Sequence, residues 1–183
     1  MKKTLLVILA ITTMAASVPA RNLSLAMTAS YLAKSDSGFK EVYGSGGVMP
    51  GLRLEAAVWK GLSVYGAYGY FAKTGTTPVL AAEAKTRQHF LAAGGAWRGA
   101  LAPKLEWGLY GGLLYVNYRE EALGDKVTGN ALGFEIGARL DYSVSAKFFL
   151  FPFVACLLAN DTVAGTDVKL GGFQAGVGAG IHF

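Results

Sequence analysis

Hydrophobic residues alternate with small or polar residues along much of this chain, and the alternation is clearest near its C-terminal end. From Phe173 to Phe183 the odd positions hold Phe, Ala, Val, Ala, Ile and Phe, whereas the even positions hold Gln, three Gly and His. A period of two places successive side chains on opposite faces of a strand. The pattern therefore predicts a β-strand with one apolar face and one small or polar face.

Similar alternation predicts seven further strands. It is regular in segments 52–59, 105–115 and 132–142 and weaker in 23–33, 62–72, 87–98 and 148–159. Short joints at 60–61, 99–103 and 143–146 alternate strictly with longer polar stretches at 34–47, 73–86, 119–130 and 160–169. This order predicts an all-β, eight-stranded antiparallel up-and-down barrel.

The apolar face of these strands is predicted to contact lipid. After the first twenty residues the longest apolar segment, 148–159, has twelve residues and contains Pro152, whereas a spanning helix needs about 17 to 25. A closed barrel pairs every backbone amide without such a helix. An arginine facing lipid at the bilayer midplane costs about 2–4 kcal/mol, so Arg53 and Arg139 are assigned to the interior. A soluble lipocalin-like carrier would need the opposite arrangement, with its charged face outward.

The polar faces predict a network of side chains in the barrel lumen. Its members are Arg53, Glu55, Arg98, Glu106, Glu135, Arg139, Asp141 and Gln174, with His182 at the end of the last strand. An eight-stranded barrel is just wide enough for side chains to fill it, which favours a packed interior of paired ions. The alternative is a narrow gated channel, in which exchange of partners among Arg53, Glu55, Glu135 and Arg139 opens a path for water.

The seventh segment, 148–159, is apolar on both faces, so its phase cannot be assigned from the sequence. Glycines of the eighth strand, which face inward, would leave room for its large side chains or for an apolar pocket that binds a lipid. Pro50 and Pro152 predict β-bulges, because proline cannot donate to a strand ladder and a closed barrel has no edge.

Aromatic residues gather near the ends of the segments and predict two interfacial girdles. The first lies near the short joints and contains Trp59, Trp97, Trp107, Tyr142, Phe149 and Phe183. The second lies near the longer connections and contains Tyr31, Tyr68, Tyr70, Tyr115 and Tyr118.

The first twenty residues have the features of a cleaved secretory signal. Lys2 and Lys3 precede an apolar run at 5–11, and the segment ends in Val18-Pro19-Ala20, with small residues at the positions that a signal peptidase reads. We therefore expect a signal peptide at 1–20 and one barrel domain at 21–183. Without the two lysines, 15 basic residues remain against 12 acidic ones, a net charge of +3 instead of +5. This small excess does not favour a nucleic-acid partner.

Composition limits the chemistry that this chain can perform. The 183 residues are 52% hydrophobic and only 16% charged, which argues against disorder, and 25 of them are glycine. The single Cys156 cannot form an internal disulfide or a cysteine zinc site. His89 and His182 lie on different strands without a recognisable catalytic motif. The sequence predicts no enzyme activity, metal or cofactor.

The terminal sequence GFQAGVGAGIHF, the amphipathic segments and the N-terminal signal resemble those of small bacterial outer-membrane β-barrel proteins. The resemblance is to the OmpX and opacity-protein type and to the transmembrane domain of the OmpA type, over essentially all of 21–183. It implies export by the Sec pathway to the outer membrane of a Gram-negative-type bacterium. It also implies that the barrel-assembly machinery reads the last strand, through Phe173, Val177, Ile181 and Phe183.

For function, the resemblance implies a structural, membrane-integrity or surface-interaction role in a monomer that contacts outer-membrane lipids and lipopolysaccharide. A porin-like channel is the alternative, and a barrel that binds a hydrophobic ligand or lipopolysaccharide is a third possibility. Basic residues near the rim, which are candidates for contact with lipopolysaccharide phosphates, are Lys73, Lys85, Arg87 and Arg119. A solvated rim of mixed charge explains the same residues.

Overall fold

The computed structural model describes residues 23–163 and 165–183. Its elements are β1 (Leu23–Lys34), α1 (Ser37–Tyr43), β2 (Gly46–Trp59), β3 (Leu62–Thr76), β4 (Glu83–Ala102), β5 (Leu105–Ala122), β6 (Asp125–Ser143), β7 (Phe148–Val163), β8 (Thr166–Lys169) and β9 (Gly172–His182). The expected signal peptide at 1–20 lies outside the described residues.

Eight strands form a closed antiparallel ring. Strands β1 to β7 pair in sequence order, β7 also pairs with β9, and β9 pairs with β1 from Lys34–Gly172 to Ser24–His182. The short strand β8 stands outside the ring and pairs only with the end of β7. The predicted eight-stranded up-and-down transmembrane barrel is confirmed. We call the end with the three short turns the short-turn end and the opposite end the hairpin end.

Strands β3 to β6 are longer than the sequence pattern predicts, because their ladders continue into stretches predicted as loops. The β3–β4 ladder reaches Thr76–Glu83 and the β5–β6 ladder reaches Ala122–Asp125. Leu123 and Gly124 have φ angles of 57° and 87°, as a two-residue hairpin turn of type I′ requires. A tilted strand crosses the bilayer with about 9–11 residues, so these 15- to 20-residue strands extend beyond it.

Strand β7 has a definite phase in the structure. Its odd positions, including Phe149, Phe151 and Phe153, are buried inside the barrel, and its even positions face outward. A methyl group added at Gly178 or Gly180 of β9 would overlap the ring of Phe151 or Phe149. The inward glycines of β9 therefore make room for the phenylalanines of β7, which supports packing over an apolar ligand pocket.

Neither Pro50 nor Pro152 marks a β-bulge. Pro50 pairs with Ala29, and Pro152 pairs with Val177, in unchanged register. On the other side, the β2–β3 ladder begins one residue after Pro50, and the β6–β7 ladder is interrupted opposite Pro152. Because proline lacks an amide donor, loss of pairing on one side accommodates it without an extra residue. The bulge prediction was wrong, and the register shifts lie near the short turns that end β2 and β4.

Most of the predicted girdle residues are exposed or half-exposed on the outside of the barrel. Two are not: Phe149 and Tyr118 are buried in the interior, so their assignment to the girdles was wrong. Tyr118 lies on the inward phase of the β5 extension, where its hydroxyl donates to Asp161 Oδ2 at 2.7 Å. Phe149 fills the space beside the glycines of β9.

Candidate functional site

The short-turn half of the interior is organised around Glu55. Its carboxylate accepts from Arg98 Nε at 3.0 Å and is hydrogen-bonded to the hydroxyl of Ser63. It lies 2.6 Å from Arg98 Nη2, 2.8 Å from Arg139 Nη2 and 3.4 Å from Arg53 Nε. The strand phase produces this meeting, because β2, β4 and β6 each place a charged residue on the inward face at similar height. Only 2% of the Glu55 side chain is exposed, so the three guanidinium groups replace its solvent.

Two further acidic residues lie beside this centre. Asp141 Oδ2 is 3.1 Å from Arg139 Nε and 3.9 Å from Arg98 Nε. Glu106 is the direct cross-strand partner of Asp141 but is exposed at the short-turn mouth. At the same mouth His182 stacks on Phe149, with ring centroids 4.4 Å apart. An opening of about 360 Å³, lined by Arg98, Glu106 and His182 among others, leads from this end to Glu55.

Glu135 is held on the other side of the cluster. Its Oε1 accepts a hydrogen bond of 2.6 Å from the hydroxyl of Tyr65. The guanidinium of Arg53 lies between the rings of Tyr65 and Tyr110, 3.8 Å and 4.3 Å from their centroids, as a cation–π arrangement requires. The three arginines are thus matched by the carboxylates of Glu55, Glu135 and Asp141, and the interior carries little net charge.

A cavity of about 60 Å³ lies at the centre of the barrel. Arg53, Arg139 and Glu135 line it together with Gln174, whose amide donates to Ser30 Oγ at 2.8 Å. Among the described residues that line it, Arg53 Nη2 and Arg139 Nη2 are buried without a hydrogen bond of good geometry. Water molecules beside the polar part of its wall would supply such partners.

An apolar layer separates the cavity from the hairpin end. It consists of Leu32, Phe71, Val116 and Ala159, which are fully or almost fully buried. Each lies on the inward face of its strand, nearer the hairpin end than the residues that border the cavity. Above them, Phe39 and Tyr43 of α1 turn into the barrel, and Phe39 packs on Phe71 with centroids 5.9 Å apart. The network around Glu55 ends below these side chains, and the ammonium of Lys34, 5.2–5.8 Å from the ring centroids of Phe39, Phe71 and Phe90, forms a separate buried polar group with Gln88.

Helix α1 is fixed in the hairpin-end mouth by capping and by charge. Asp36 is the N-cap residue and accepts from Phe39 N at 2.8 Å, and its other oxygen accepts from Lys169 N at 3.0 Å. The Lys34 ammonium lies beneath the helix, 5.2 Å from the ring centroid of Phe39, and donates to Gln88 Oε1 at 2.8 Å. The seven-residue α1 is short, and within 23–163 and 165–183 no helix has the length and hydropathy to cross a bilayer.

Sequence reasoning missed Lys34 and α1, because 34–47 was treated as a loop, and it missed Gln88, because the alternation in 87–98 is weak. A signal was present: Asp36 precedes Phe39, Val42 and Tyr43, whose spacing places them on one face of a helix that Asp36 can cap. The partners of Lys34 depend on strand register and could not be identified from local sequence.

The basic residues assigned to the rim do not all lie on the same surface. Lys73 is on the inward phase of β3 and donates to the carbonyl of Gly46, away from the outer wall, and its contact with lipopolysaccharide stays a prediction. Lys85, Arg87 and Arg119 lie on the outward phase of β4 and β5, and Arg87 is directly opposite Arg119. The strand phase decides whether a basic side chain near the hairpin end points into the barrel or outward. The irregular pattern around position 73 did not reveal that phase.

The residues of the expected assembly signal lie on the outside of β9 and at its end. Phe173, Val177 and Ile181 are exposed on the lipid-facing side, and Phe183 N donates to the carbonyl of Leu23 at 2.9 Å. The two histidines lie apart, since His89 accepts or donates a 2.8 Å hydrogen bond with Tyr68 on the outer wall whereas His182 lies at the short-turn mouth. Within the described ranges, no three His, Cys, Asp or Glu side chains are grouped to hold a metal ion.

Comparison with known proteins finds likeness of structure only. No protein-family model and no curated protein matches the chain. The outer membrane protein OprG of Pseudomonas aeruginosa superposes with a TM-score of 0.70 at 12% identity, over 91% of this chain and 97% of that one. Neisserial surface protein A gives a TM-score of 0.67 at 12% identity, over 88% and 97%.

A third similar structure is Ail, the attachment invasion locus protein of Yersinia pestis, solved in complex with the heparin analogue sucrose octasulfate. It superposes with a TM-score of 0.60 at 12% identity, over 88% of this chain and 98% of that one. At such identities the likeness concerns the fold and not the ligand. This chain has the fold of the small eight-stranded outer-membrane β-barrels.

Proposed function

We propose that this protein is a non-enzymatic, integral outer-membrane barrel that is closed to solutes and has a structural, membrane-integrity role. The observation that carries the proposal is the filled interior. Three arginines are paired with carboxylates in the short-turn half, and α1 with Phe71 fills the hairpin half. Interior side chains that are paired and packed in this way favour a structural barrel over an open channel.

The apolar outer surface of the barrel indicates that its surroundings are lipid. The outward faces of the strands are apolar, with large exposed side chains such as Leu132, Ile136 and Val177, and lipid is the environment that makes such a surface stable. We propose outer-membrane lipids as its partners, Sec-dependent export through residues 1–20, and recognition of β9 by the barrel-assembly machinery. The protein is proposed to act as a monomer, because closure of the ring pairs both edges of each of its eight described strands.

The membrane assignment predicts the behaviour of the expressed protein. We expect it to fractionate with outer membranes and to migrate differently on gels before and after boiling, because a closed barrel resists detergent unfolding until it is heated. The measurement is cell fractionation followed by electrophoresis of heated and unheated samples. Recovery of the protein from the periplasm without detergent would refute the assignment.

The closed interior predicts that the purified barrel does not conduct. In planar bilayers we expect a flat current baseline, because the apolar layer of Leu32, Phe71 and Val116 excludes ions. A porin inserted under the same conditions serves as the control for insertion and sensitivity. Discrete current steps from the purified protein would contradict the proposal.

A narrow gated channel is the second candidate, and the central cavity is the observation that favours it. The cavity and the opening at the short-turn end are lined by charged residues, including Arg53, Glu135 and Arg98. If current steps occur, a channel through this network requires that Glu55→Gln changes their conductance or ion selectivity. Steps that Glu55→Gln leaves unaltered would point to a contaminant and would exclude this path.

A further inference from the structure

We propose that α1 is a pH-sensitive lid over the hairpin-end mouth of the barrel, closed tightly when the Lys34 side chain is neutral and loosened when it is protonated. Such a lid adds a regulated state to a barrel whose proposed role is structural, and it requires no particular membrane. Its basis is a lysine buried beneath a short helix that no strand pairing holds in place.

The nitrogen of the Lys34 side chain lies in a closed space beneath α1. The residue is only 2% exposed, and its nitrogen donates to Gln88 Oε1 at 2.8 Å and to the carbonyl of Leu170. The ring centroids of three phenylalanines lie 5.2–5.8 Å from the same nitrogen. Two acceptors match the two N–H groups of a neutral amine, whereas an ammonium has a third donor that only the aromatic faces can receive. The space therefore fits the amine better than the ammonium.

The carboxylates that face Lys34 do not neutralise it. They are Asp36, just before α1, and Glu120, on the inward phase of β5, and neither forms an ion pair with Lys34 among the described residues. The two oxygens of Asp36 already accept from Phe39 N and Lys169 N. A buried ammonium without a paired carboxylate loses its hydration and gains little in return. Protonation of Lys34 therefore opposes the closed position of α1.

Other charged groups near the mouth have partners of their own or face solvent. Lys73 of β3 points into the hairpin end and donates to the carbonyl of Gly46, and Asp161 of β7 accepts from the hydroxyl of Tyr118. Burial raises the pKa of Tyr43 on α1 to about 12, so this hydroxyl stays neutral near neutral pH. The charged residues of α1 and β8 are exposed: Lys40, Glu41, Asp167 and Lys169.

Helix α1 can move without breaking the ring of strands. It has seven residues, fewer than the roughly 12–15 that a helix needs to persist alone in water. It takes no part in a strand ladder, and it is held by the bond between Asp36 and Lys169 and by the burial of Phe39 and Tyr43. Lifting α1 would let water reach the nitrogen of Lys34, which is the state that an ammonium prefers.

The coupling between Lys34 and the lid has a definite sign. Lys34 lies three residues beyond the girdle residue Tyr31 and so outside the membrane-spanning part of β1. Burial lowers the pKa of Lys34 to about 7 in the closed state, whereas an exposed lysine has a pKa of about 10.4. Between these two pH values the open state binds more protons, so closure weakens as the pH falls from the higher value to the lower.

Glu120 acts in the opposite direction and at lower pH. Burial raises its pKa in the closed state, so protonation of this carboxyl favours closure, and the effect belongs to the acidic range. A comparison between a slightly acidic and an alkaline pH therefore isolates the contribution of Lys34.

Amide hydrogen exchange of the purified full-length barrel in detergent measures the opening of α1. Mass spectrometry, corrected for the intrinsic pH dependence of exchange, gives the protection of segment 37–43 at about pH 6.5 and about pH 9. We expect this protection to be about tenfold or more higher at the alkaline pH, because Lys34 is then neutral in the closed state. Segment 109–116 of β5 reports on the ring and should be equally protected at both pH values.

Three variants assign the response to one side chain. Lys34→Met removes the titratable group at nearly the same length, and its α1 protection should not depend on pH. Lys40→Met removes a lysine from the exposed side of α1, and Glu120→Gln removes the facing carboxylate; both should retain the difference seen in the parent.

Equal protection of α1 in the parent at both pH values would overturn the proposal. A pH response that Lys34→Met retains, or that segment 109–116 shares, would also overturn it. Heat-modifiable migration checks that each variant is folded, and the measurement on the parent decides the matter if Lys34→Met does not fold.

Discussion

Replacing Glu55 by glutamine is expected to destabilise the barrel by about 3–5 kcal/mol, the cost of removing one partner from a buried ion cluster. Glutamine preserves the size of the side chain but withdraws the negative charge that three arginines share. These guanidinium groups would then repel one another in a space that excludes most water. The free energy of unfolding in urea, monitored by the fluorescence of the three tryptophans, measures this loss.

Glu83→Gln is the matched control, because it makes the same chemical change at an exposed carboxylate that pairs with Lys85. An exposed pair contributes about 0–1 kcal/mol, so this variant should unfold almost as the parent does. A second substitution, Arg98→Gln, should recover part of the loss caused by Glu55→Gln, since it removes one of the unpaired cations. Equal stability of Glu55→Gln and Glu83→Gln would show that the interior is well hydrated and not a closed ion cluster.

Gly178→Val is the second change for which we expect a large effect, with a loss of stability of about 1–3 kcal/mol or more and a reduced yield of refolded barrel. A side chain at this inward position of β9 would overlap the ring of Phe151, which is itself buried. Phe149 and Phe153 pack on either side of this ring and restrict its movement. Refolding into detergent followed by heat-modifiable gel migration measures the yield.

Gly66→Val is the control for the loss of a strand glycine. Gly66 lies on the outward phase of β3, and a β-carbon there meets no atom within 4 Å. This variant should refold as the parent does. The combination Gly178→Val/Phe151→Leu should recover part of the yield, because the smaller side chain leaves space for valine. If the combination refolds no better than Gly178→Val alone, backbone effects and not the overlap explain the defect.

The alternation of apolar and polar residues, with its alternating short and long connections, was sufficient to predict the ring of eight strands. Charged residues such as Arg53 and Arg139 also showed which face of a strand avoids lipid. The same reasoning could not assign β7, whose two faces are both apolar. Its phase depends on β9, where Gly178 and Gly180 accept the rings of Phe151 and Phe149. The information for β7 thus lies in a neighbouring strand and becomes readable only when the pairing is known.

The hairpin end was predicted less well than the spanning strands. Beyond the membrane no lipid forces apolar residues outward, so alternation weakens and stretches such as 119–130 look like loops although they continue the ladder. Lys73 is an example. Its charge and its place in a polar stretch suggested a position on the outer rim, whereas the strand phase directs it inward to the carbonyl of Gly46. For the interior network, the sequence supplied the members, and only the structure placed Glu55 at the centre and Glu106 at the exposed mouth.

The pairing of β1 with β9 also constrains how the chain reaches its native state. Ser24 and His182 are partners across nearly the whole length of the described chain, and such distant contacts slow folding because a long loop must close first. Until β9 is present, β1 and β7 each expose an unpaired edge that can bind other chains. Helix α1 is coupled to the same step, because Asp36 accepts from Lys169, three residues before β9. Closure of the ring and sealing of its mouth should therefore be late and concerted events.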